Sequence, residues 1–132
     1  MIAHPCPCGS SRDYLSCCGP YLNNQAFPKT PEALMRSRYS AYTLANMEYI
    51  NATMRGKPLL AFDEIDAARF ARSVEWLGLT VLSATKDPRN KNRGFVTFIA
   101  TYKEMGAIKT IQEKSQFKFI NGRWYYVNGS QI

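Results

Sequence analysis

The sequence is poor in the residues that most enzymes use for chemistry. It contains a single histidine, His4, so the most common general acid or base is missing from residue 5 onward. No glycine-rich run precedes a helix-like segment, as a phosphate-binding loop would require, because Gly78 and Gly94 stand alone. A serine–histidine–aspartate set cannot be assembled either. These absences argue against an enzyme, with a tyrosine or glutamate of shifted pKa as the remaining catalytic alternative.

Long apolar runs and targeting signals are also absent. The strongly apolar stretches are a few residues long, far short of the roughly 18 residues that a membrane-spanning helix needs. Residues 1–19 lack the basic stretch, apolar run and small-residue cleavage site of a secretory signal. We therefore expect a soluble, cytoplasmic protein with no membrane partner. In that reducing compartment, clustered cysteines serve more often as metal ligands or redox groups than as structural disulfides.

All four cysteines of the chain lie close together, as Cys6-x-Cys8 and Cys17-Cys18. Four thiolates match tetrahedral zinc, and a site filled by four protein ligands is structural because no position stays open for a substrate. A disulfide within either pair would close a small, strained ring, so a disulfide or redox role is the weaker alternative. His4 lies just outside the cluster and could replace one of the cysteines as a ligand, but an exposed histidine is the simpler interpretation. The spacing predicts a structural zinc site.

The chain is basic, with a formal net charge of +7 and a pI near 9.4. This charge favours anionic partners, nucleic acid among them. The lysines and arginines are dispersed, apart from a short cluster at 89–93, so a solvated basic surface is the simpler interpretation. Composition divides the chain into a zinc module at 1–22, a connector at 23–31 and a main domain at 32–132.

The main domain changes its hydrophobic period once. Helical spacing predicts helices over 32–45, 47–54 and 64–76, the first capped by Thr30 and the third preceded by Asp63. After Gly78 the residues alternate, which predicts strands over 79–86, 95–104, 109–120 and 123–127, with Asn121-Gly122 as a hairpin turn. This order predicts an α+β fold in which three helices pack on one face of a four-stranded antiparallel sheet.

A charged pair is predicted inside this domain. On a helical wheel, Arg38 falls within an apolar stripe of the first helix, whereas Arg36 falls on the opposite, polar side with Ser40 and Thr43. Alternation along the third strand places Glu113 on the helix-facing side of the sheet, together with Ile111, Ser115, Phe117 and Phe119. We therefore predict that Arg38 and Glu113 pair in the interior.

The pair has two interpretations. It is either a structural ion pair that sets how the helix sits on the sheet, or the polar end of a ligand pocket. In the second case Arg38 would bind an anion and Glu113 would act as a base or an acceptor. The candidate pocket residues are Arg38, Tyr42, Phe98, Tyr102, Glu113, Ser115, Trp124 and Tyr126.

Two sets of residues resemble known families. The run from Cys6 to Ser10, with Tyr14 and Cys17-Cys18-Gly19, resembles the SEC-C motif, a zinc knuckle named after the C terminus of the SecA translocation ATPase. The segments 34–42, 75–79 and 122–127 resemble the YchJ family of small bacterial proteins, whose biochemical function is unassigned. The resemblance implies that Cys6, Cys8, Cys17 and Cys18 ligate zinc. It also implies a cone-like main domain of the cystatin-like, nuclear-transport-factor-like type, with a curved sheet wrapped on helices.

Three functions follow from these features. The favoured one is a non-enzymatic zinc protein whose knuckle docks on a protein, ribosomal or nucleic-acid partner. The second is a small-molecule binder or enzyme that uses the cone around Arg38 and Glu113, and the third is redox sensing through release of zinc. The outer sheet face is where we expect a homodimer, if one forms. Some relatives carry a second SEC-C copy at the C terminus, so a function that needs two copies is not expected from this sequence.

Overall fold

The computed structural model describes residues 4–132. Within them a 3₁₀ helix and five α-helices come first, and four strands follow. The sheet is antiparallel with the strand order β1-β2-β3-β4, so each strand pairs with its neighbour in sequence. The predicted α+β architecture is confirmed. The elements are the 3₁₀ helix Tyr14–Ser16, α1 Gly19–Leu22, α2 Pro31–Thr43, α3 Met47–Ala52, α4 Lys57–Leu60, α5 Glu64–Ser73, β1 Glu75–Asp87, β2 Asn90–Glu104, β3 Ala107–Ile120 and β4 Arg123–Gln131.

The predicted helix starts are present because the capping side chains form their hydrogen bonds. The Thr30 hydroxyl accepts a hydrogen bond from the Ala33 amide at 3.1 Å, at the start of α2. The Asp63 carboxylate accepts one from the Asp66 amide at 3.0 Å, at the start of α5. Helices α1 and α4 were not predicted, since four residues with a proline in the first turn are too short to show a helical period.

The end of α5 differs from the prediction. The helix stops at Ser73 instead of 76, because Val74 adopts an extended conformation and β1 already begins at Glu75. Trp76 therefore belongs to the sheet. Its indole Nε1 donates a hydrogen bond to the Ala71 carbonyl oxygen at 3.1 Å, which satisfies one of the orphan acceptors at the helix end.

Tight turns and bulges give the sheet its shape. Met105-Gly106 and Asn121-Gly122 both have positive φ at the two turn positions, the geometry of the two-residue hairpin turn. The β1–β2 turn is also short, so β2 begins at Asn90 and the predicted loop over 88–93 is mostly strand. Register shifts interrupt β1 three times and the β3–β4 pairing once, and such bulges bend strands. The resulting curved sheet wraps around the helices.

Helix α2 lies at the centre of the molecule, with protein on more than one side. Ser37 and Ser40 are fully buried, although the wheel placed Ser40 on the solvent side. That expectation was wrong because the cysteine segment covers this side of α2: the Cys6 Sγ lies 3.6 Å from the Ser40 Oγ. The sheet covers the other side with Val96, Phe98, Ala100 and Phe117.

Two further observations complete the architecture. Phe119, predicted to face the helices, is 39% exposed because it lies near the β3–β4 turn, where it packs on Trp124 with ring centroids 5.3 Å apart.

Among the helices of residues 4–132, none combines the length and the apolar content needed to cross a membrane.

Candidate metal centre and interior cavity

The four cysteine sulfurs converge on one point. Their Sγ atoms all lie within 4.8 Å of one another, with 3.7 Å between Cys8 and Cys17 and 4.0 Å between Cys17 and Cys18. Sulfurs bound 2.3 Å from one zinc ion at the corners of a tetrahedron would be about 3.8 Å apart. The four thiols are unpaired, and these separations are far from a disulfide bond. The cluster has the dimensions to hold one tetrahedral metal ion.

Backbone turns bring the two cysteine pairs together. The Cys6 amide donates to the Arg12 carbonyl oxygen at 2.9 Å, which closes the loop between the pairs. Gly9, directly after Cys8, has φ +79°, a conformation that favours glycine. On the other side of the loop, the Ser10 hydroxyl lies 3.2 Å from the Cys17 Sγ and orients this ligand. The loop thus provides both the ligands and their support.

The thiols influence one another's protonation. A hydrogen bond from Cys18 lowers the pKa of Cys8 to about 4, and burial raises the pKa of Cys17. The hydrogen bond to Cys8 raises the pKa of Cys18 in turn. Four thiolates so close together repel each other unless a cation lies between them. The cluster therefore suits a soft divalent metal that replaces the protons.

The cysteine segment, residues 6–18, also called the metal segment or zinc segment, packs against the main domain and shares its core. Cys6, Cys8 and Cys18 are buried in the same apolar cluster as Leu34 of α2. The Arg36 Nη1 donates to the Cys8 carbonyl oxygen at 2.8 Å. A metal here would join the pair Cys6 and Cys8 to the pair Cys17 and Cys18, next to α2.

A second feature is an interior cavity of about 520 Å³ between the helices and the sheet. Its lining includes residues of α2, α5, β1, β2, β3 and β4. Ala61, Asp63 and Asp66 line it and are exposed, so the cavity opens to solvent between α4 and α5. Seven of its nineteen lining residues are aromatic: Tyr39, Tyr42, Phe62, Phe70, Trp76, Phe98 and Tyr126.

Arg38 lies at the inner end of this cavity. The residue is 6% exposed, and its Nη1 donates to the Ile50 carbonyl oxygen at 3.0 Å and to the Thr53 Oγ1 at 2.6 Å. The guanidinium carbon lies 4.7 Å from the centroid of the Tyr126 ring, within cation–π range. Burial lowers the pKa of Arg38, but an arginine remains protonated in proteins. A full positive charge is therefore held inside the fold.

Glu113 lies near Arg38 but does not pair with it directly. Its Oε2 accepts hydrogen bonds from the Ser115 hydroxyl at 2.5 Å and from the Tyr126 hydroxyl at 3.1 Å. No Arg38–Glu113 salt bridge occurs in the described part of the chain. The predicted direct pair is replaced by a relay, in which Tyr126 offers its ring face to Arg38 and its hydroxyl to Glu113. The arginine instead reaches the C-terminal end of α3, where carbonyl oxygens need donors.

Tyr126 acts as a neutral donor in this relay. Burial raises the pKa of its hydroxyl, and the nearby Glu113 charge raises it further. Burial also raises the pKa of Tyr42 on the same wall. Both hydroxyls therefore stay protonated near neutral pH, and the charges at the inner end of the cavity are those of Arg38 and Glu113.

Polar groups of both charged residues remain free. Within residues 4–132, the Arg38 Nε and Nη2 have no protein acceptor, and the Glu113 Oε1 has no protein donor. Buried arginines usually have their N–H groups satisfied. Because both residues line the cavity, these free donors and this free acceptor are available to a molecule inside it.

The structure brings six of the eight candidate pocket residues to the cavity and places two elsewhere. The six are Arg38, Tyr42, Phe98, Glu113, Ser115 and Tyr126. Tyr102 packs against the Phe70 and Trp76 rings, both of which line the cavity, but does not line it itself. Trp124 shares a strand face with Tyr126 but lies nearer the hairpin, where its Nε1 donates to the Lys29 carbonyl oxygen at 3.2 Å.

Two contributors to the inner end were missed from the sequence. Thr53 accepts from Arg38, but it follows the end of α3 and carries no periodic signal. Gly129 lies so close to the relay that a Cβ there would collide with the Tyr126 hydroxyl and the Glu113 carboxylate. A glycine inside a strand is a recognised sign of close approach, so this residue could have been found.

Comparison with known proteins agrees with this geometry. The family profile of the YchJ middle NTF2-like domain matches residues 30–129. The chain belongs to the YchJ family. It is 39% identical to a UPF0225 protein of Serratia proteamaculans over 128 residues, which cover 96% of this chain and 82% of that protein. It is also 38% identical to a UPF0225 protein of Sodalis glossinidius, over 97% of this chain and 84% of that protein.

Two solved structures agree with the fold. A SEC-C motif containing protein from Rhodopseudomonas palustris superposes with a TM-score of 0.87 at 36% identity, over 100% of this chain and 99% of that one. A SEC-C motif containing protein from Psychrobacter arcticus superposes with a TM-score of 0.84 at 28% identity, over 98% and 84% of the two chains. The SEC-C resemblance and the NTF2-like main domain are both confirmed.

Proposed function

We propose that this YchJ family member is a small-molecule-binding protein whose cysteine site holds a structural zinc ion. The observation that carries the proposal is the buried Arg38, whose Nε and Nη2 have no protein acceptor in residues 4–132 and which lines a cavity of about 520 Å³. These nitrogens are not sealed off by protein, because in the described residues the Arg93 Nε is the one fully buried side-chain atom without a partner. They are therefore open to a molecule in the cavity. The volume falls within the range of about 300–1,000 Å³ that is usual for ligand sites.

The experiment measures whether the cavity takes up a neutral apolar dye. N-phenyl-1-naphthylamine fluoresces strongly in an apolar environment, and we expect it to bind at one site per chain. The Ala100→Phe variant fills the cavity, since Ala100 is buried on its wall. The matched control is Ala107→Phe, which adds the same ring at an exposed position of β3. Dye binding lost in Ala100→Phe and kept in Ala107→Phe supports the proposal, and equal binding by both variants contradicts it.

Zinc is the metal that best suits the cysteine site. Four thiolates with tetrahedral spacing are typical of structural zinc, and hard cations such as magnesium prefer oxygen ligands. Metal analysis of the purified protein should give one zinc per chain. Recovery of a different metal, or of none from protein whose four thiols are reduced, would contradict this assignment.

Docking of the zinc segment on a macromolecule is the second candidate function. It is favoured by the exposed side of that segment, where Leu15 is 66% exposed and Arg12 lies nearby, and by the net charge of +7. Because the other side of the segment packs on α2, only this exposed side is available to a protein or nucleic-acid partner. Co-purification of a specific partner that is lost in Leu15→Ser protein, and weakened by salt, would support docking. The double variant Ala84→Ser with Lys86→Ala is a surface control on β1.

A further inference from the structure

We infer that the cavity takes a flat, mostly apolar molecule with a neutral polar head, in which a hydrogen-bond acceptor and an N–H or O–H donor lie side by side, as in a primary amide. This inference rests on the proposed small-molecule function and specifies the ligand class of the same site. It differs from the sequence-based expectation, which assigned Arg38 to an anion. Charge, hydrogen-bonding capacity and wall shape each support it.

The charges around the cavity disfavour an anionic head. Arg38 is matched at the inner end by Glu113, and Tyr126 connects the two through its ring and its hydroxyl. Asp63 and Asp66 add two further negative side chains where the cavity opens, and the second is paired with exposed Arg69 at 3.3 Å. An anion would enter past these carboxylates and then lie against Glu113. A cation would lie against the Arg38 guanidinium, so the inner end, with one charge of each sign, suits a head without net charge.

The free polar groups define what the head must offer. Arg38 has N–H donors without a protein acceptor in the described chain, so the head needs an acceptor oxygen. Glu113 has one carboxylate oxygen without a donor, so the head needs an N–H or O–H as well. An amide carries both groups on one carbon atom. A head with only an acceptor would desolvate the Glu113 Oε1 without giving it a donor, which costs affinity.

The walls favour a flat body behind this head. Trp76, Phe98 and Tyr42 contribute rings to the cavity, and Met35 and Met54 also line it. Aromatic walls make favourable stacked or edge contacts with a planar ring system. Methionine side chains adapt to irregular shapes, so the size of the body is less restricted than the chemistry of the head.

The test compares three probes that share one body: 2-naphthamide, 2-naphthoate and 2-naphthylmethylammonium, titrated at neutral pH by calorimetry. We expect 2-naphthamide to bind at least tenfold more tightly than either charged probe. Naphthoate or the ammonium compound binding as tightly as the amide would overturn the inference. If none of the three binds while N-phenyl-1-naphthylamine does, the head chemistry is wrong and the proposed function stands. If the dye also fails to bind, both are wrong.

Glu113→Gln tests the charge argument directly, since it keeps the side-chain shape and removes the negative charge. We expect naphthoate to gain at least tenfold in affinity, because Arg38 is then no longer balanced. The matched control is Glu104→Gln, which removes a carboxylate that pairs with Lys109 near the β2–β3 turn and does not line the cavity. An unchanged ratio of naphthoate to naphthamide affinity in Glu113→Gln would refute the inference.

Discussion

Removal of the Arg36 side chain tests whether a specific contact joins the metal segment to the main domain. The Arg36 Nη1 donates to the Cys8 carbonyl oxygen at 2.8 Å, and its Nε bonds the Glu32 carboxylate at 2.9 Å. The side chain is 23% exposed. In Arg36→Ala, the Cys8 carbonyl oxygen loses a charged donor, and the contact between the cysteine segment and α2 is weakened.

The expected size of the effect follows from these two contacts. A hydrogen bond to a charged group contributes about 1.5–3 kcal/mol, and partial exposure favours the lower end of that range because water can replace the donor. The pair with Glu32 is an i,i+4 ion pair whose carboxylate is 42% exposed, so it adds about 0.3–0.5 kcal/mol. We therefore expect Arg36→Ala to lower the free energy of unfolding by about 2 kcal/mol. The melting temperature should fall by roughly 6–10 °C.

The assay is urea unfolding of the zinc-loaded protein, followed by circular dichroism, together with the rate of zinc transfer to a colorimetric chelator. Arg69→Ala is the matched control, because Arg69 pairs with Asp66 at 3.3 Å with both side chains largely exposed. It should change stability by less than about 0.5 kcal/mol. Arg36→Ala should also release zinc faster than the control. If the two variants have equal stability and equal release rates, the contact has no such role.

Three further predictions concern a turn, a strand and the metal. Met105 is fully exposed and has φ 50° in a two-residue hairpin turn, a conformation that asparagine tolerates better than methionine. Met105→Asn should therefore raise the free energy of unfolding by about 0.5–1 kcal/mol, measured in thermal melts. A loss of stability would contradict this. Gly129→Ala places a Cβ against Tyr126 and Glu113, so it should lower the free energy of unfolding by about 1–3 kcal/mol. It should also weaken 2-naphthamide binding at least tenfold. Unchanged binding would show that the Tyr126–Glu113 relay does not contact the ligand. Acidification to about pH 4 should release a metal ion loaded at the four cysteines, because protons compete for the thiolate sulfurs. Metal retained on the protein after gel filtration at that pH would contradict a four-thiolate site.

Local rules predicted the elements that depend on neighbouring residues. Thr30 and Asp63 cap their helices because a side-chain oxygen three residues before an amide is a purely local arrangement. Asn121-Gly122 forms its turn because both residues tolerate positive φ. Arg38 lies on the inner side of α2 because the 100° spacing of a helix determines which side chains share a face.

The errors arose where distant segments decide the outcome. Ser40 looks like a solvent residue on the wheel of α2, but the cysteine segment, which is over twenty residues away in sequence, packs on it. The Arg38–Glu113 pair was a reasonable choice of partners, yet Thr53 at the end of α3 competes for the guanidinium and cannot be identified from the helix and strand patterns. Trp124 and Tyr126 share a strand face, and the alternation gives no indication that the connector covers only one of them.

Helix α2 contacts both the metal segment and the cavity. Arg36 and Ser40 hold the cysteine segment on one side, while Arg38 and Tyr42 line the cavity on another, within less than two helical turns. A change in the position or stability of α2 therefore affects both the cysteine site and the cavity. Thermodynamic reciprocity then requires that, if the metal tightens the binding of a molecule in the cavity, that molecule tightens the binding of the metal by the same factor. In that case the metal content of the protein would depend on the occupancy of its cavity, and the occupancy on the metal content.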